Sequence, residues 1–420
     1  MAESESEDTP SARPGVRESW SLLRRNPDFR NLYLASIISF GGDWFTWVAI
    51  ASLVLELTGS AMTLALSVVA QELPFFLISP IGGMLADRLD RRKIMVVTDL
   101  LRAVLCLGFL LVGSTDTLWI AFIILGAISG LAAIFDPASS AAVPNLVDEE
   151  DLSTANTLAG SAWGTMLAVG AAIGGLVVAT VGRDVAFIVD AVSFAASAAL
   201  LWRIRGSLSQ ERDHEEHPGL IEATRETFAY SREDHRVLAF LSVKGGFGLA
   251  GGVIVLISVF SVQEFGSGDG GIGLLMAARG IGALVGPFVG RWYAGPDDRR
   301  LFPAIGIALA VFGVSYAALG LAPGLAAGAF AIFMAHLGGG TQWALSTYGL
   351  QRTTDDHIRG RVFAFDYALI TLSFTISSIL AGVCAEAFGP RPTAVGLGFI
   401  AVCWSAVWWR ATRTVRRTGL

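Results

Sequence analysis

Twelve apolar stretches follow one another along this chain, each long enough to cross a lipid bilayer as an α-helix. A helix rises ~1.5 Å per residue, so about 20 apolar residues span the hydrocarbon core. The stretches lie near 31–57, 61–86, 93–114, 117–143, 153–180, 184–204, 237–263, 270–291, 301–321, 323–349, 361–387 and 390–410. We therefore predict an all-α membrane protein. The fourth, fifth and tenth stretches are rich in small residues, which favours close helix packing.

The composition excludes a water-soluble fold. Hydrophobic residues make up 53% of the 420 residues and charged residues only 16%, against roughly 25% charged residues in a typical soluble domain. The three cysteines, Cys106, Cys384 and Cys403, lie in apolar stretches, which predicts buried thiols and no disulfide framework. The net charge of -6 provides no basic field for nucleic acid.

The distribution of basic residues predicts the orientation. With the N-terminus inside the cell, 25 of the 30 lysines and arginines fall on the cytoplasmic side. Because cytoplasmic loops carry the excess of Lys and Arg, both termini are predicted to be cytoplasmic. The acidic start, MAESESEDTP, lacks the basic and then apolar pattern of a secretory signal.

A polar segment divides the spans into two sets of six. The predicted organisation is a disordered cytoplasmic tail at 1–18, a six-helix bundle at 19–205, a cytoplasmic linker at 206–235, a second bundle at 236–411 and a tail at 412–420. The halves are similar at an offset of 206 residues, which pairs Asp28 with Asp234 and Arg30 with Arg236. This offset indicates a duplicated six-helix unit.

The loop between the second and third spans reads GGMLADRLDRRK, Gly82 to Lys93. It resembles the signature loop of the major facilitator superfamily, a glycine followed by Asp-Arg and a basic cluster. The matching residues are Gly83, Asp87, Arg88, Arg91 and Arg92. The resemblance implies two pseudo-symmetric six-helix bundles around a central cavity, with rocking alternate access.

The signature loop is also the candidate gate. Asp136, near the cytoplasmic end of the fourth span, is expected to form an ion pair with one of the loop arginines. Such a cluster would hold the outward-open state, whereas the alternative is that the arginines only anchor the protein at the membrane surface. Asp99 and Arg102, at i and i+3 on the third span, are expected to pair with each other or to join this cluster.

Span five contains the motif GAAIGG at 170–175, whose glycines are Gly170, Gly174 and Gly175. This resembles the Gly-Pro-x-x-Gly-Gly signature of proton-driven drug exporters, with Ala171 where proline is usual. The runs 135–156 and 358–365 resemble the branch that holds macrolide-efflux proteins and the enterobactin exporter. The resemblance implies export of a small organic molecule.

Two acids near the middle of the bilayer are the candidates for proton coupling. Asp43 lies in span one and Glu72 in span two. A carboxylate at this depth costs at least ~2.5–3.5 kcal/mol, so it should face a cavity or a partner. The two acids could share a proton on adjacent helices. The alternatives for Asp43 are recognition of a cationic substrate or a packing hydrogen bond.

The remaining intramembrane polar residues and aromatics are candidates for the substrate cavity. An aromatic cavity favours large amphipathic or planar molecules, although each aromatic could equally pack against helices or lipid. Lys244 is a further intramembrane cation, while Asp190 and Asp366 are interpreted as structural. The cavity candidates are Trp44, Trp47, Phe75, Trp163, Arg279, His336 and Trp343.

These patterns predict a secondary transporter, not an enzyme. The sequence contains no phosphate-binding loop and no Cys/His metal spacing, so we predict no cofactor, no metal and no use of ATP. The predicted function is export of a drug, secondary metabolite or siderophore by proton antiport, from the plasma membrane and as a monomer. The alternatives are an importer or a membrane sensor that retains the fold. The predicted partners are the substrate, protons and membrane lipid.

Overall fold

A computed structural model describes residues 16–208, 220–295 and 300–418, and all of its long elements are helices. The α-helices are α1 (Val16–Arg25), α2 (Pro27–Thr58), α3 (Ala61–Arg88), α4 (Arg91–Gly108), α5 (Leu118–Leu146), α6 (Leu152–Val181), α7 (Arg183–Trp202), α8 (Leu220–Glu233), α9 (His235–Gly251), α10 (Val253–Val259), α11 (Gly268–Ala294), α12 (Leu301–Gly320), α13 (Leu325–Thr353), α14 (Asp356–Phe388), α15 (Pro390–Ala411) and α16 (Arg413–Thr418). The predicted tail at 1–18 and linker at 206–235 lie partly outside the described residues. Within those segments, the described parts include the start of α1 and all of α8.

Eleven helical segments of the described chain are long and apolar enough to cross a membrane. One of them combines α9, α10 and the π-helical turn Phe260–Glu264. The helix α13 is long enough but less apolar, because buried polar residues such as Gln342 and His336 interrupt it. It corresponds to the tenth predicted span. Together with α13, these segments form the predicted twelve-helix all-α membrane fold.

Short connections with specific caps separate the long helices. Asn26 begins α2, where its side chain accepts a hydrogen bond from Phe29 N at 2.9 Å. Gly59, with φ 60°, ends α2 in the left-handed conformation, and Ser60 caps α3 by accepting from Thr63 N at 3.0 Å. Only two residues therefore separate α2 from α3, which makes these helices antiparallel neighbours.

The two sets of six helices pack in the same pattern. In the first set α2 packs on α6 and α7, α3 on α5, and α4 on α5 and α7. The second set repeats this arrangement: α9 packs on α14 and α15, α11 on α13, and α12 on α13 and α15. Because each set crosses the membrane six times, both described ends lie on one side of the bundle, here called the terminal side.

Two equivalent helix pairs join the halves, α3 with α14 and α6 with α11. Several contacts between the halves lie on the side opposite the terminal side. Glu386 accepts a hydrogen bond from Ser60, and Gln263 Nε2 donates to Gly59 O at 2.8 Å. A Cβ placed on Gly382 would meet Met62. The halves are therefore in contact on the side opposite the terminal side.

Candidate functional site: charged groups of the central cavity

Five charged side chains from four helices of the first half lie close together. They are four carboxyl groups and one guanidinium, here called the acid cluster: Asp43 of α2, Asp99 and Arg102 of α4, Asp136 of α5 and Asp190 of α7. Asp43 is within electrostatic range of the other four members. Apart from Asp99 and Arg102, these residues are distant along the chain, so the packing of the four helices brings them together.

Asp190 is a bonded member of the acid cluster. Its Oδ2 accepts hydrogen bonds from Thr46 Oγ1 at 2.5 Å and from Cys106 Sγ at 3.2 Å. Its Oδ1 accepts one from Ser193 Oγ at 3.2 Å. The side chain is buried and joins α2, α4 and α7. These contacts give Asp190 a role in packing.

Asp99 and Arg102 form an ion pair at 3.4 Å, which confirms their predicted i,i+3 pairing. Asp99 also accepts a hydrogen bond from Ser197 Oγ at 2.6 Å. The Arg102 guanidinium lies over the rings of Phe135 at 5.0 Å and Phe194 at 5.3 Å. Both charged groups are buried, and cation–π contacts add to the pairing of Arg102.

Asp43 and Asp136 are the open members of the acid cluster. Each is half-buried, and neither forms a hydrogen bond with another described residue. The prediction that Asp136 pairs with a loop arginine is wrong, because Asp136 lies well inside α5 and its cationic neighbour is Arg102 of α4. Two carboxyl groups are therefore left accessible inside the membrane-spanning region.

A second charged group connects the two halves. Glu72 of α3 lies within electrostatic range of Arg279 of α11. The Arg279 guanidinium lies over the Trp44 ring of α2, at 5.6 Å from its centroid. Glu72 therefore faces Arg279, whereas the charged neighbours of Asp43 all belong to the acid cluster. The structure does not pair Glu72 with Asp43.

The predicted cavity aromatics fall in different environments. Phe75 packs near Tyr367 across the halves, with ring centroids 6.0 Å apart. Trp343 is 38% exposed and packs edge-on to Phe247. The Nε1 of Trp47 is buried without a partner among the described residues. The side chain of Trp163 lies outside the described set.

His336 lies in the core of the second half. Its Nε2 and the Tyr316 hydroxyl are 2.6 Å apart in a hydrogen bond, and both side chains are buried. Phe312 packs edge-on against both rings. This environment joins α12 to α13, and His336 is buried whereas Asp43 is only half-buried.

A buried ion pair in the second half was missed by the sequence analysis. Lys244 of α9 pairs with Asp366 of α14, and its Nζ also donates to Thr347 Oγ1 at 2.9 Å. The Nζ lies 5.1 Å from the ring centroid of Trp343. The sequence does show one cation and one acid within predicted spans of the same half. The two residues are far apart in the sequence, so nothing there indicates that they are in contact.

Breaking this ion pair is expected to destabilise the protein strongly. Asp366→Ala leaves the Lys244 ammonium buried without its counter-ion, at an expected cost of about 3–5 kcal/mol. A scan of the melting temperature in detergent measures the effect. The double variant Lys244→Met, Asp366→Leu should recover most of the loss, because it removes both charges. A double variant less stable than Asp366→Ala would contradict this account.

The signature loop holds the chain that follows α7. Arg91 Nη1 donates to Leu208 O at 3.0 Å, and Arg92 Nη2 donates to Gly206 O at 2.6 Å. Arg88 is exposed, and the side chain of Asp87 lies outside the described set. A Cβ on Gly83 would meet nothing within 4 Å. The described contacts of Arg91 and Arg92 are thus within the first half and its connection to the linker.

The glycine motif of α6 lies between α2 and α11. On one face, a Cβ on Gly170 or Gly174 would lie within 3.4 Å of the Trp44 side chain or backbone. On the other face, a Cβ on Gly175 would meet the backbone of Gly273. The motif therefore packs α6 within the first half and also against the second half.

The comparisons with known proteins agree with this architecture. The family model MFS_3, described as transmembrane secretion effector, matches residues 18–411. The chain belongs to the major facilitator superfamily. This major facilitator chain is 26% identical to a putative bacilysin exporter, BacE, of Bacillus subtilis (strain 168), over 91% of the chain and 93% of the relative. It is 26% identical to the multidrug efflux pump Tap of Mycolicibacterium fortuitum, over 87% of this chain and 91% of the pump. It is 24% identical to macrolide efflux protein A of Streptococcus pyogenes, over 89% of this chain and 93% of that protein.

Solved structures share the fold of this major facilitator protein. A bacterial homologue of the human lysosomal transporter Spinster, in an inward-facing and unoccupied conformation, superposes with a TM-score of 0.72. The two sequences are 14% identical, and the superposition covers 95% of this chain and 98% of the homologue. A POT family transporter in complex with 5-aminolevulinic acid gives a TM-score of 0.77 at 10% identity, covering 96% of this chain and 98% of that one. These likenesses concern the fold, and the family places the chain among integral membrane transporters.

Proposed function

We propose that this transporter exports a small organic molecule in exchange for protons, from the plasma membrane and with both termini in the cytoplasm. The observation that carries the proposal is the pair of open carboxyl groups, Asp43 and Asp136, in an acid cluster with only one guanidinium. The names of the relatives, which include efflux proteins, support the outward direction.

The charge count of the acid cluster supports proton binding. Four ionised carboxylates around Arg102 would leave three unpaired negative charges inside the membrane-spanning region. Each unpaired charge costs about 2.5–3.5 kcal/mol on insertion scales. Neutralisation by protons removes this cost, and the carboxyl groups share the protons as a coupled set. Asp43 and Asp136 exchange them most readily, because they have accessible surface and no competing hydrogen bond.

Antiport requires that protons and substrate exclude each other at one site. Asp43 is the proposed site, because it is half-buried and has no hydrogen bond to another described residue. A substrate that places a cationic or hydrogen-bond-donating group on Asp43 favours the ionised carboxylate, and a proton on Asp43 weakens that contact. Asp43 thus serves both alternatives raised by the sequence, proton coupling and recognition of a cationic group.

Alternating access follows from the packing of the halves. The contact of Glu386 with Ser60 and that of Gly175 with Gly273 close the side opposite the termini. The outward-open state must separate these contacts and bring the halves together on the terminal side. The loop residues Asp87, Arg88, Arg91 and Arg92 lie at that side and are proposed to stabilise its closure.

The proton gradient provides enough energy for useful export. One proton gains ~2.3 kcal/mol per 100 mV and ~1.4 kcal/mol per unit of pH gradient. At 100 mV and one pH unit, roughly 3.7 kcal/mol supports a several-hundred-fold gradient of a neutral substrate. The protein itself is proposed to act as a monomer in contact with substrate, protons and lipid.

Transport in proteoliposomes tests this proposal. Vesicles that contain the purified protein and a fluorescent amphiphile are given an inward or outward pH gradient. We expect dye to move against the imposed proton flow, and a protonophore should abolish that movement. Movement of dye in the same direction as the protons would overturn export and establish an importer. Binding of dye without any transport would favour a sensor.

A further inference from the structure

Arg279 is a guanidinium inside the membrane-spanning region without a direct polar partner among the described residues. Its Nε is buried and unbonded, and no hydrogen bond or ion pair joins its other nitrogens to a described residue. The residue is half-buried, so part of its surface faces open space. A guanidinium has five donors, and buried donors are almost always satisfied.

Two other arginines of this chain, one inside a span and one at the start of a span, each have a direct acidic partner. Arg102 has an ion pair with Asp99. Arg391 pairs with Glu264 at 2.5 Å and donates to Ala322 O at 2.9 Å. Arg391 thereby joins α15 to the segments that precede it. Arg102 is paired within α4, although its Nε and Nη2 have no hydrogen-bond partner among the described residues. Arg279 has only the ring of Trp44 and a more distant acid, so structural bonding does not account for its charge.

The groups near Arg279 leave its donors without a hydrogen bond to a described residue. The Tyr316 hydroxyl is already bonded to His336, and Glu72 contributes attraction without a direct ion pair among the described residues. Trp44 covers one face of the guanidinium at 5.6 Å. A planar guanidinium with one face on an aromatic ring can still donate two parallel hydrogen bonds in its own plane.

We propose that Arg279 binds an acidic group, a carboxylate or a phosphate, of the transported molecule, with Trp44 stacked beside it. This inference rests on the proposed function, since it assigns a substrate class to the same cavity. Asp43 adjoins Trp44 in sequence and provides an acid on the opposite half from Arg279. Arg279 therefore selects molecules that carry an acidic group, while Asp43 remains the proposed site for a cationic or donor group.

A pair of dyes that differ in one group tests the assignment. The probes are a rhodamine with a free carboxylate and the methyl ester of the same rhodamine. Fluorescence polarisation with purified protein in detergent gives the Kd of each dye, without any ion gradient. In the wild type, the free carboxylate dye should bind more tightly than its ester. Arg279→Gln should weaken the carboxylate dye by about 10- to 100-fold, because a charge-assisted hydrogen bond is lost. The Kd of the ester should stay within about twofold of the wild-type value.

The controls separate binding from folding and from transport. The control is Arg232→Gln. The Arg232 guanidinium also lies over an aromatic ring, that of Phe228 at 5.8 Å, but Arg232 is exposed on α8. Its replacement should change the Kd of neither dye. Arg279→Lys keeps the charge and should retain part of the preference for the carboxylate dye. Retained binding of the ester shows that Arg279→Gln is folded.

Three results would overturn the inference. They are equal wild-type affinity for the two dyes, an unchanged Kd of the carboxylate dye in Arg279→Gln, and an equal loss for both dyes. Dye binding is measured without an ion gradient, so its outcome does not depend on whether the protein exports by proton antiport. The assignment of Arg279 and the proposed export can therefore fail separately.

Discussion

Asp43→Asn is expected to abolish dye export driven by a proton gradient while the protein remains folded. Asparagine keeps the shape of the side chain but carries no exchangeable acidic proton. With coupling lost, the steady-state dye gradient should fall from roughly several-hundred-fold, at 100 mV and one pH unit, to near unity. Proteoliposomes with an imposed pH gradient and membrane potential measure this ratio directly.

The matched control for this variant is Asp116→Asn. Asp116 is an exposed acid in the connection between α4 and α5, outside the acid cluster. Its replacement should leave the dye gradient unchanged. Facilitated dye equilibration should persist in Asp43→Asn, since its fold is preserved. If Asp43→Asn keeps the full gradient, Asp43 is not the proton carrier, and Asp136 or Glu72 becomes the next candidate.

Gly175→Val is expected to prevent closure of the side opposite the termini. A side chain at this position meets the backbone of Gly273 on α11, and backbone atoms cannot move aside as a flexible side chain can. Overpacking of this kind costs about 1–3 kcal/mol. The closed population should therefore fall by roughly 5- to 150-fold relative to the outward-open population, and export should slow accordingly.

Labelling of a cysteine at Ser60 measures this shift. Ser60 contacts Glu386 of the other half in the closed arrangement, so Ser60→Cys should react faster with a membrane-impermeant thiol reagent when that side opens. The experiment needs the three native cysteines replaced by serine. Gly396→Val is the control, because a Cβ at Gly396 would meet nothing within 4 Å. Equal labelling rates in Gly175→Val and Gly396→Val would contradict the role assigned to Gly175.

The helices could be predicted from the sequence because the bilayer imposes their length and their hydrophobicity. Even the least apolar of the twelve spans, α13, was located from its own apolar stretch at 323–349. The Asp99–Arg102 pair was also predictable. Residues at i and i+3 lie on the same face of a helix wherever the helix is placed.

The contacts between helices could not be predicted in the same way. A helix that is apolar on all faces has no periodic pattern that reveals its rotation about its own axis. Asp136 was therefore assigned to the loop arginines although it faces Arg102, and Lys244 and Asp366 were treated separately although they pair. Glu72 was grouped with Asp43 by depth, whereas rotation places it opposite Arg279.

The two faces of the α6 glycine motif carry a consequence for the speed of the transport cycle. Gly170 and Gly174 pack against α2 inside one half, while Gly175 meets Gly273 of the other half. At the second contact, backbone lies against backbone and no side chains interlock. Separation of α6 and α11 at this point therefore requires no side chain to change its rotamer and breaks no hydrogen bond of the glycines. This contact between two backbones keeps the kinetic barrier to opening low. The acid cluster and Arg279 can then determine the relative populations of the closed and the outward-open states.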